Sequence, residues 1–226
     1  MEYEEQEELK HQEQSIMFRI LKGVVALFVI IGFLYISGVS QFFFYQRTSP
    51  TTQQRTIESA IDAQQISISL SVIILQSEGV RGSFRNKENA QRLVFNAGEI
   101  WNQANINLTI KNISIISLDD EEITSFIRFP QEFIIESEYF DSSVINVFLV
   151  QHLNGINGFA FGGLQSVAIA DYTTVYDFRT LAHEIGHILT LRHVTNDERR
   201  LMSSGVNGIN LSLQEIIRAR ENAELY

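Results

Sequence analysis

The sequence of 226 residues contains no cysteine. Disulfide bonds, a thiol nucleophile and a metal site built from thiolates are therefore excluded. Positive charge is also scarce, because 17 lysine and arginine residues are outnumbered by 27 aspartate and glutamate residues, for a formal net charge of −10. An acidic chain lacks the basic surface that nucleic acids require, so we expect no nucleic-acid partner.

Charged residues are also missing between Lys22 and Arg47. The intervening run, residues 23–46, exceeds the roughly 20 apolar residues that a helix needs to cross a bilayer. We expect a transmembrane helix that contacts membrane lipid, because a cleaved signal peptide normally has a shorter apolar region after a basic segment. A small bias in flanking positive charge predicts a single-pass protein with a cytoplasmic amino terminus and its larger domain outside the cytoplasm.

The remaining segments form a simple predicted layout. Residues 1–22 resemble an acidic, solvated tail, residues 47–65 a polar stalk, and residues 66–226 a single domain without internal repeats. Strands are predicted at 66–75, at 106–118 (two, with a bend near Lys111), at 144–150 and at 166–170, with a helix between Ala90 and Ala104. Residues 129–143 are predicted to be irregular or partly helical, and Ser212 and Glu215 form a capping box for a final helix. This mixture indicates an α/β fold.

One stretch carries most of the chemical information, the His-Glu-x-x-His pattern from His183 to His187. On a helix this spacing places both histidines on one face, where they can share a zinc ion. Zinc also needs a third protein ligand, and His193 is the candidate. Glu184, beside them, is placed to act as general base towards a water molecule activated by the zinc. The pattern predicts a zinc-dependent hydrolase.

The stretch from His183 to His193, followed by Met202, resembles the metzincin zinc signature H-E-x-x-H-x-x-G-x-x-H with its Met-turn, and within that family it is most similar to matrixin-like enzymes. The resemblance implies a zincin domain with a mixed twisted sheet, an active-site helix and a small carboxy-terminal subdomain. It implies that Met202 forms an apolar floor beneath the metal. It also implies that an edge strand binds the peptide substrate, through Gly158, Phe159, Ala160 and Phe161. The family's glycine is replaced by Thr190 here.

We therefore expect a zinc-dependent endopeptidase that acts on protein or peptide substrates. Three alternatives remain open: a catalytically weak or inactive membrane-tethered binding protein, a zincin whose third ligand is a glutamate such as Glu215, and a zymogen without a cysteine switch. The acidic run from Asp119 to Glu122 allows a second cofactor, calcium, although a solvated loop is the simpler interpretation.

Overall fold

The computed structural model describes residues 64–79 and 81–226. The predicted tail, the predicted membrane helix and residues 47–63 of the predicted stalk lie outside the described residues. In the part of the chain that is described, no helix combines the length and the apolarity needed to cross a bilayer. This finding contradicts the predicted single-pass membrane localisation with an extracytoplasmic domain, and we correct that prediction. The predicted contact with membrane lipid depended on the same localisation and has no support.

Strands and helices alternate along most of the described chain. The strands are β1 (Ile66–Gln76), β2 (Ile106–Ser117), β3 (Ile145–Val150), β4 (Gly158–Phe161) and β5 (Ser166–Ala170). The helices are α1 (Lys87–Trp101), α2 (Asp120–Arg128), α3 (Pro130–Glu136), α4 (Asp177–Ile188) and α5 (Leu213–Ala223), with short 3₁₀ turns at Asn102–Ala104 and Gly162–Leu164. The order confirms the predicted α/β class.

The described strands form one sheet in the order β2-β1-β3-β5-β4. Strands β2, β1, β3 and β5 run parallel, whereas β4 pairs antiparallel with β5. Strands β3 and β5 are buried along their whole lengths, because they lie inside the sheet and helices cover both of its faces. Strand β4 is short, and it is the outermost strand on its side, so one of its backbone edges has no strand partner in the described sheet.

Strand β2 differs in detail from the prediction. Leu70 lies opposite Ile110, and the next residue, Ser71, lies opposite Asn112. Lys111 is therefore the extra residue of a β-bulge. The sequence signal for a bend near Lys111 has a physical basis, but it marks a bulge within one strand and not a boundary between two strands.

Two hydrophobic clusters lie on opposite faces of the sheet. Alternate residues of β1 divide between them: Leu70 and Val72 belong to the first cluster, and Ile73 and Leu75 to the second. Helices α1, α4 and α5 cover the first cluster, and helices α2 and α3 cover the second. The predicted carboxy-terminal subdomain shares the first cluster, because Leu201, Met202, Ala219 and Ala223 belong to it.

The acidic run after β2 begins a helix and is not a solvated loop. Asp119 is the N-cap of α2 and accepts hydrogen bonds from the backbone N–H groups of Glu121 and Glu122, at 2.9 and 2.8 Å. Glu122 returns the contact by accepting from the Asp119 N–H at 2.8 Å. This reciprocal capping accounts for the two carboxylates without a metal. A calcium site in this run stays a prediction.

Candidate metal centre

Helix α4 presents one face to the core and the other to a cleft. Leu181, Ile185 and Ile188 belong to the first hydrophobic cluster, as the helical spacing predicts. His183 and His187, one turn apart, lie on the cleft side together with the neighbouring Glu184. Burial against the sheet fixes the rotation of the helix and thereby fixes the direction of both histidines.

The helix ends in a turn that brings the chain back towards its own histidines. Thr190 has φ = 64°, in the left-handed region. Its N–H donates to the His187 carbonyl at 3.0 Å, and the Leu191 N–H donates to the Gly186 carbonyl at 2.8 Å. These two bonds constitute a Schellman motif, in which glycine usually takes the left-handed position. The chain makes the sharp turn with threonine and so places His193 beside the helix.

Replacing Thr190 with glycine should therefore leave the free energy of unfolding unchanged or raise it, by up to about 2 kcal/mol. A non-glycine residue in a sparsely populated region carries about 1–3 kcal/mol of strain, which glycine would remove. Glycine in turn costs about 0.5–1 kcal/mol, because it loses more conformational freedom on folding than other residues. The Thr190 side chain is exposed, so little packing is lost. Urea unfolding measures the effect, with Thr190→Val as the strained control. A loss above about 1 kcal/mol in the glycine variant would show that the threonine side chain stabilises this turn.

Three imidazole nitrogens converge beyond this turn. Nε2 of His193 lies 3.1 Å from Nε2 of His183 and 3.0 Å from Nε2 of His187. Within residues 64–79 and 81–226, this is the one group of at least three histidine, cysteine or acidic side chains placed to share an ion. The structure thus brings together the three predicted ligands. It does not bring Glu215 into the group, because Glu215 caps α5 and pairs with Arg200.

The outer nitrogens of two rings fix which nitrogen carries the proton. Nδ1 of His183 is 2.8 Å from the Leu201 carbonyl, and Nδ1 of His187 is 3.0 Å from the Leu191 carbonyl. A carbonyl oxygen only accepts, so each Nδ1 is the protonated nitrogen and each Nε2 keeps its lone pair. The lone pairs of His183 and His187 approach Nε2 of His193 so closely that either a cation or a proton on His193 must lie among the three nitrogens. Nitrogens about 2.0–2.1 Å from one tetrahedral zinc ion lie about 3.3–3.4 Å apart, so the set fits zinc.

Burial keeps two of these imidazoles in the neutral form that binds metals. Desolvation lowers the pKa of His183 to about 4; the Leu201 carbonyl opposes this change, and the nearby Arg179 and histidine charges add to it. Desolvation also lowers the pKa of His187. At neutral pH neither ring competes for a proton, and both lone pairs are available.

Glu184 lines the same cleft as the histidines and is only 7% exposed. Desolvation raises its pKa to about 7, and the positive charge of Arg179 acts in the opposite direction. A carboxyl group with a pKa near the working pH can both accept and release a proton, which is the requirement for a general acid–base group.

The cleft is a cavity of about 450 Å³ between strand β4 and the segment after Met202. From the predicted substrate strand, Gly158, Phe159 and Ala160 line it. Phe161 belongs to the same strand but packs against the second hydrophobic cluster. The other lining residues are Gly155, Ile156, Asn157, Arg179, Thr180, His183, Glu184, His187, His193, Ser204 and Gly205. The geometry puts the three imidazole nitrogens, the acid and strand β4 around one space.

Met202 is fully buried against the underside of helix α4. A Cβ atom added at Gly186 would lie 2.7 Å from its Sδ atom, so the absence of a side chain at Gly186 allows the methionine to approach the helix. This contact lies between the two histidines along the helix. Met202 therefore packs against the turn of helix α4 that carries the two histidines, and its role as an apolar floor beneath the metal stays a prediction.

Replacing Gly186 with alanine should lower the free energy of unfolding by about 1–3 kcal/mol, because the added methyl group overpacks a filled core. Gly98, inside helix α1, provides the matched control. A Cβ atom there meets only the Cβ of Leu108, at 3.9 Å, so Gly98→Ala should gain the roughly 0.5–1 kcal/mol that alanine provides in a helix. Parallel thermal melts would measure both variants. Equal stabilisation of both would contradict the described contact with Met202.

Arg179 also lines the cleft, and the sequence patterns do not predict its place there. It lies one turn before His183 and is 3% exposed. Its Nε donates to the Gly208 carbonyl at 3.2 Å, and its Nη2 donates to the carbonyls of Leu201 and Ser203. The spacing of four residues from His183 is the available signal, because it places both on one helix face. The carbonyl partners follow 22 to 29 residues later and give no local signal.

The known proteins that are similar to this chain are found among solved structures. No family matches the chain, and no curated protein does. An archaemetzincin from Methanopyrus kandleri matches with 12% identity and a TM-score of 0.49 over 70% of this chain and 96% of its own. A zinc-dependent peptidase from Methanocorpusculum labreanum matches with 12% identity and a TM-score of 0.38, over 68% and 99%.

A third solved structure, described as a chaperone–substrate complex, matches with 14% identity and a TM-score of 0.44, over 71% of this chain and 36% of the other. All three TM-scores are below 0.5, so these likenesses say nothing of the function of this chain, and the side-chain geometry of the cleft is the evidence for it.

Proposed function

We propose that this chain is a zinc-dependent endopeptidase. The observation that carries the proposal is the convergence of three histidine nitrogens, with a buried glutamate beside them, in a cleft bounded by a sheet edge. His183, His187 and His193 would hold the ion. When bound, zinc would supply a Lewis acid that polarises a carbonyl group and lowers the pKa of water. The finer resemblance to matrixin-like enzymes stays a prediction.

Glu184 would move the proton. Its carboxyl group is desolvated in the cleft, and its pKa of about 7 allows it to accept a proton from water and to donate it to the departing amine. Glu184 faces the space into which the three imidazoles point, which is where the scissile bond would lie. Burial excludes bulk water and strengthens the electrostatic effect of each charge in the site.

Strand β4 would orient the substrate. The edge of β4 that has no strand partner among the described residues can accept an extended peptide as an additional strand, so that main-chain hydrogen bonds provide affinity. Gly158 and Ala160 have small side chains, and both line the cleft, so a peptide backbone can approach without a steric obstacle. This mode of binding suits peptides of varied sequence, since the contacts are made to the backbone.

Elemental analysis and a peptide-library cleavage assay on the purified full chain would test the proposal. We expect one zinc ion per chain and internal cleavage of peptides, read by mass spectrometry. Release of single terminal residues would indicate an exopeptidase. Bound zinc without any cleavage would favour the catalytically silent binding protein.

A further inference from the structure

The carbonyl oxygen of Leu201 accepts hydrogen bonds from two side chains of helix α4. One donor is Nδ1 of His183, at 2.8 Å, and the other is Nη2 of Arg179. All three groups are buried. A metal-bound histidine takes its ring orientation and tautomer from the acceptor at its other nitrogen. The position of the Leu201 carbonyl therefore decides how well His183 is directed into the cleft.

The guanidinium group of Arg179 holds that carbonyl in place. Its remaining bonds go to the carbonyls of Ser203 and Gly208, so that one side chain binds three points of the segment that follows Arg200. The planar fork of an arginine suits several acceptors at once, whereas a lysine offers a single ammonium point. Burying a charge is costly unless hydrogen bonds compensate. The three carbonyl contacts supply this compensation and also immobilise the segment.

We propose that Arg179 is a positioning residue of the metal site, which acts on His183 through the shared Leu201 carbonyl. Arg179 donates no ligand atom and carries no proton in the reaction. It holds the acceptor that keeps the proton of His183 on Nδ1, and it thereby keeps the Nε2 lone pair directed at the ion. The inference rests on the proposed zinc site.

Zinc affinity of the full chain, measured by competition with a chelator, tests the proposal in Arg179→Met. We expect zinc binding weaker than in the wild type by up to about 10–100-fold, the range for disturbing the outer partner of a metal ligand, because the Leu201 carbonyl is no longer held in place. The matched control is Arg200→Met. Arg200 anchors the same segment through the carboxylate of Glu215, so its loss loosens the segment without removing the second donor to Leu201.

The control variant, Arg200→Met, should bind zinc within about threefold of the wild type, even if its melting temperature falls as far as that of Arg179→Met. If zinc affinity fell equally in both variants, Arg179 would only stabilise the segment in general, and the proposal would be overturned. Wild-type affinity in Arg179→Met would also overturn it. If that variant does not fold, Arg179→Lys takes its place. The lysine variant should bind zinc less tightly than the wild type, because its donors leave from one nitrogen and cannot reproduce the contacts that Arg179 makes from Nε and Nη2. Wild-type affinity there would equally overturn the proposal.

The metal-free protein provides a readout that a purely structural role would not change. Nitrogen-15 NMR reports which ring nitrogen of His183 carries the proton. We expect the Nδ1–H form in the wild type and in Arg200→Met, and a mixture of tautomers in Arg179→Met or Arg179→Lys. An unchanged tautomer in the Arg179 variants would contradict the proposal. A wild-type chain that binds no zinc would instead refute the proposed function, so the two failures are distinguishable.

Discussion

Replacing Glu184 with alanine is expected to lower peptide cleavage by about 10²–10⁴-fold, the range that positioned general acid–base groups contribute. Zinc binding should persist, because the three imidazole nitrogens converge without any contribution from the glutamate. The two effects separate the roles of neighbouring residues on one helix. Initial cleavage rates and zinc content, measured on the same preparation, would give both results.

The acidic residue Glu198 serves as the control for Glu184. It is exposed and does not line the cleft, so Glu198→Ala should cleave peptides at the wild-type rate. If Glu184→Ala cleaves as fast as the wild type, Glu184 is not the general base. Loss of zinc from Glu184→Ala would mean that the carboxyl group supports the metal and not the proton transfer.

The second large effect is expected at His193. Replacing it with alanine leaves His183 and His187 as a pair, and zinc sites in proteins need at least three protein ligands. We expect zinc affinity to fall by more than about 100-fold, beyond the effect of outer partners of a ligand. Folding should be little affected, because His193 is exposed.

His152 is the matched control for His193. It is also exposed, but it stacks on Tyr172 at 4.7 Å and does not belong to the histidine cluster. His152→Ala should bind zinc with wild-type affinity. If His193→Ala retained wild-type affinity instead, a different group would be the third ligand, and the left-handed turn at Thr190 would serve another purpose.

Local sequence patterns predict the parts of this fold that depend on local physics. The helical spacing of α1 and α4, the apolar runs of the parallel strands and the capping box at Ser212 all appear as predicted. The turn near Thr190 was also predictable, because His193 can return to the helix only if the helix ends there. Its left-handed φ confirms that a threonine makes this turn.

Other features depend on partners that are distant in the chain. The bulge at Lys111 exists only relative to β1, about 40 residues earlier. Arg179 gains its significance from carbonyls that follow later in the chain, and Gly186 from the sulfur of Met202. Helix α2 could have been predicted from the capping pair Asp119 and Glu122, but the adjacent acidic residues made the run resemble a solvated loop. Burial of Ile123 and Phe126 against the sheet decides in favour of the helix.

The central claim, that three histidines hold a zinc ion on which peptide cleavage depends, is most directly tested by metal removal and reconstitution. The full chain, stripped of metal with a chelator, should cleave no peptide, and one equivalent of zinc should restore cleavage to the original rate. Loss and recovery should follow the measured zinc occupancy. Cleavage that persists in the metal-free chain, or a chain that cleaves no peptide when fully loaded with zinc, would contradict the claim.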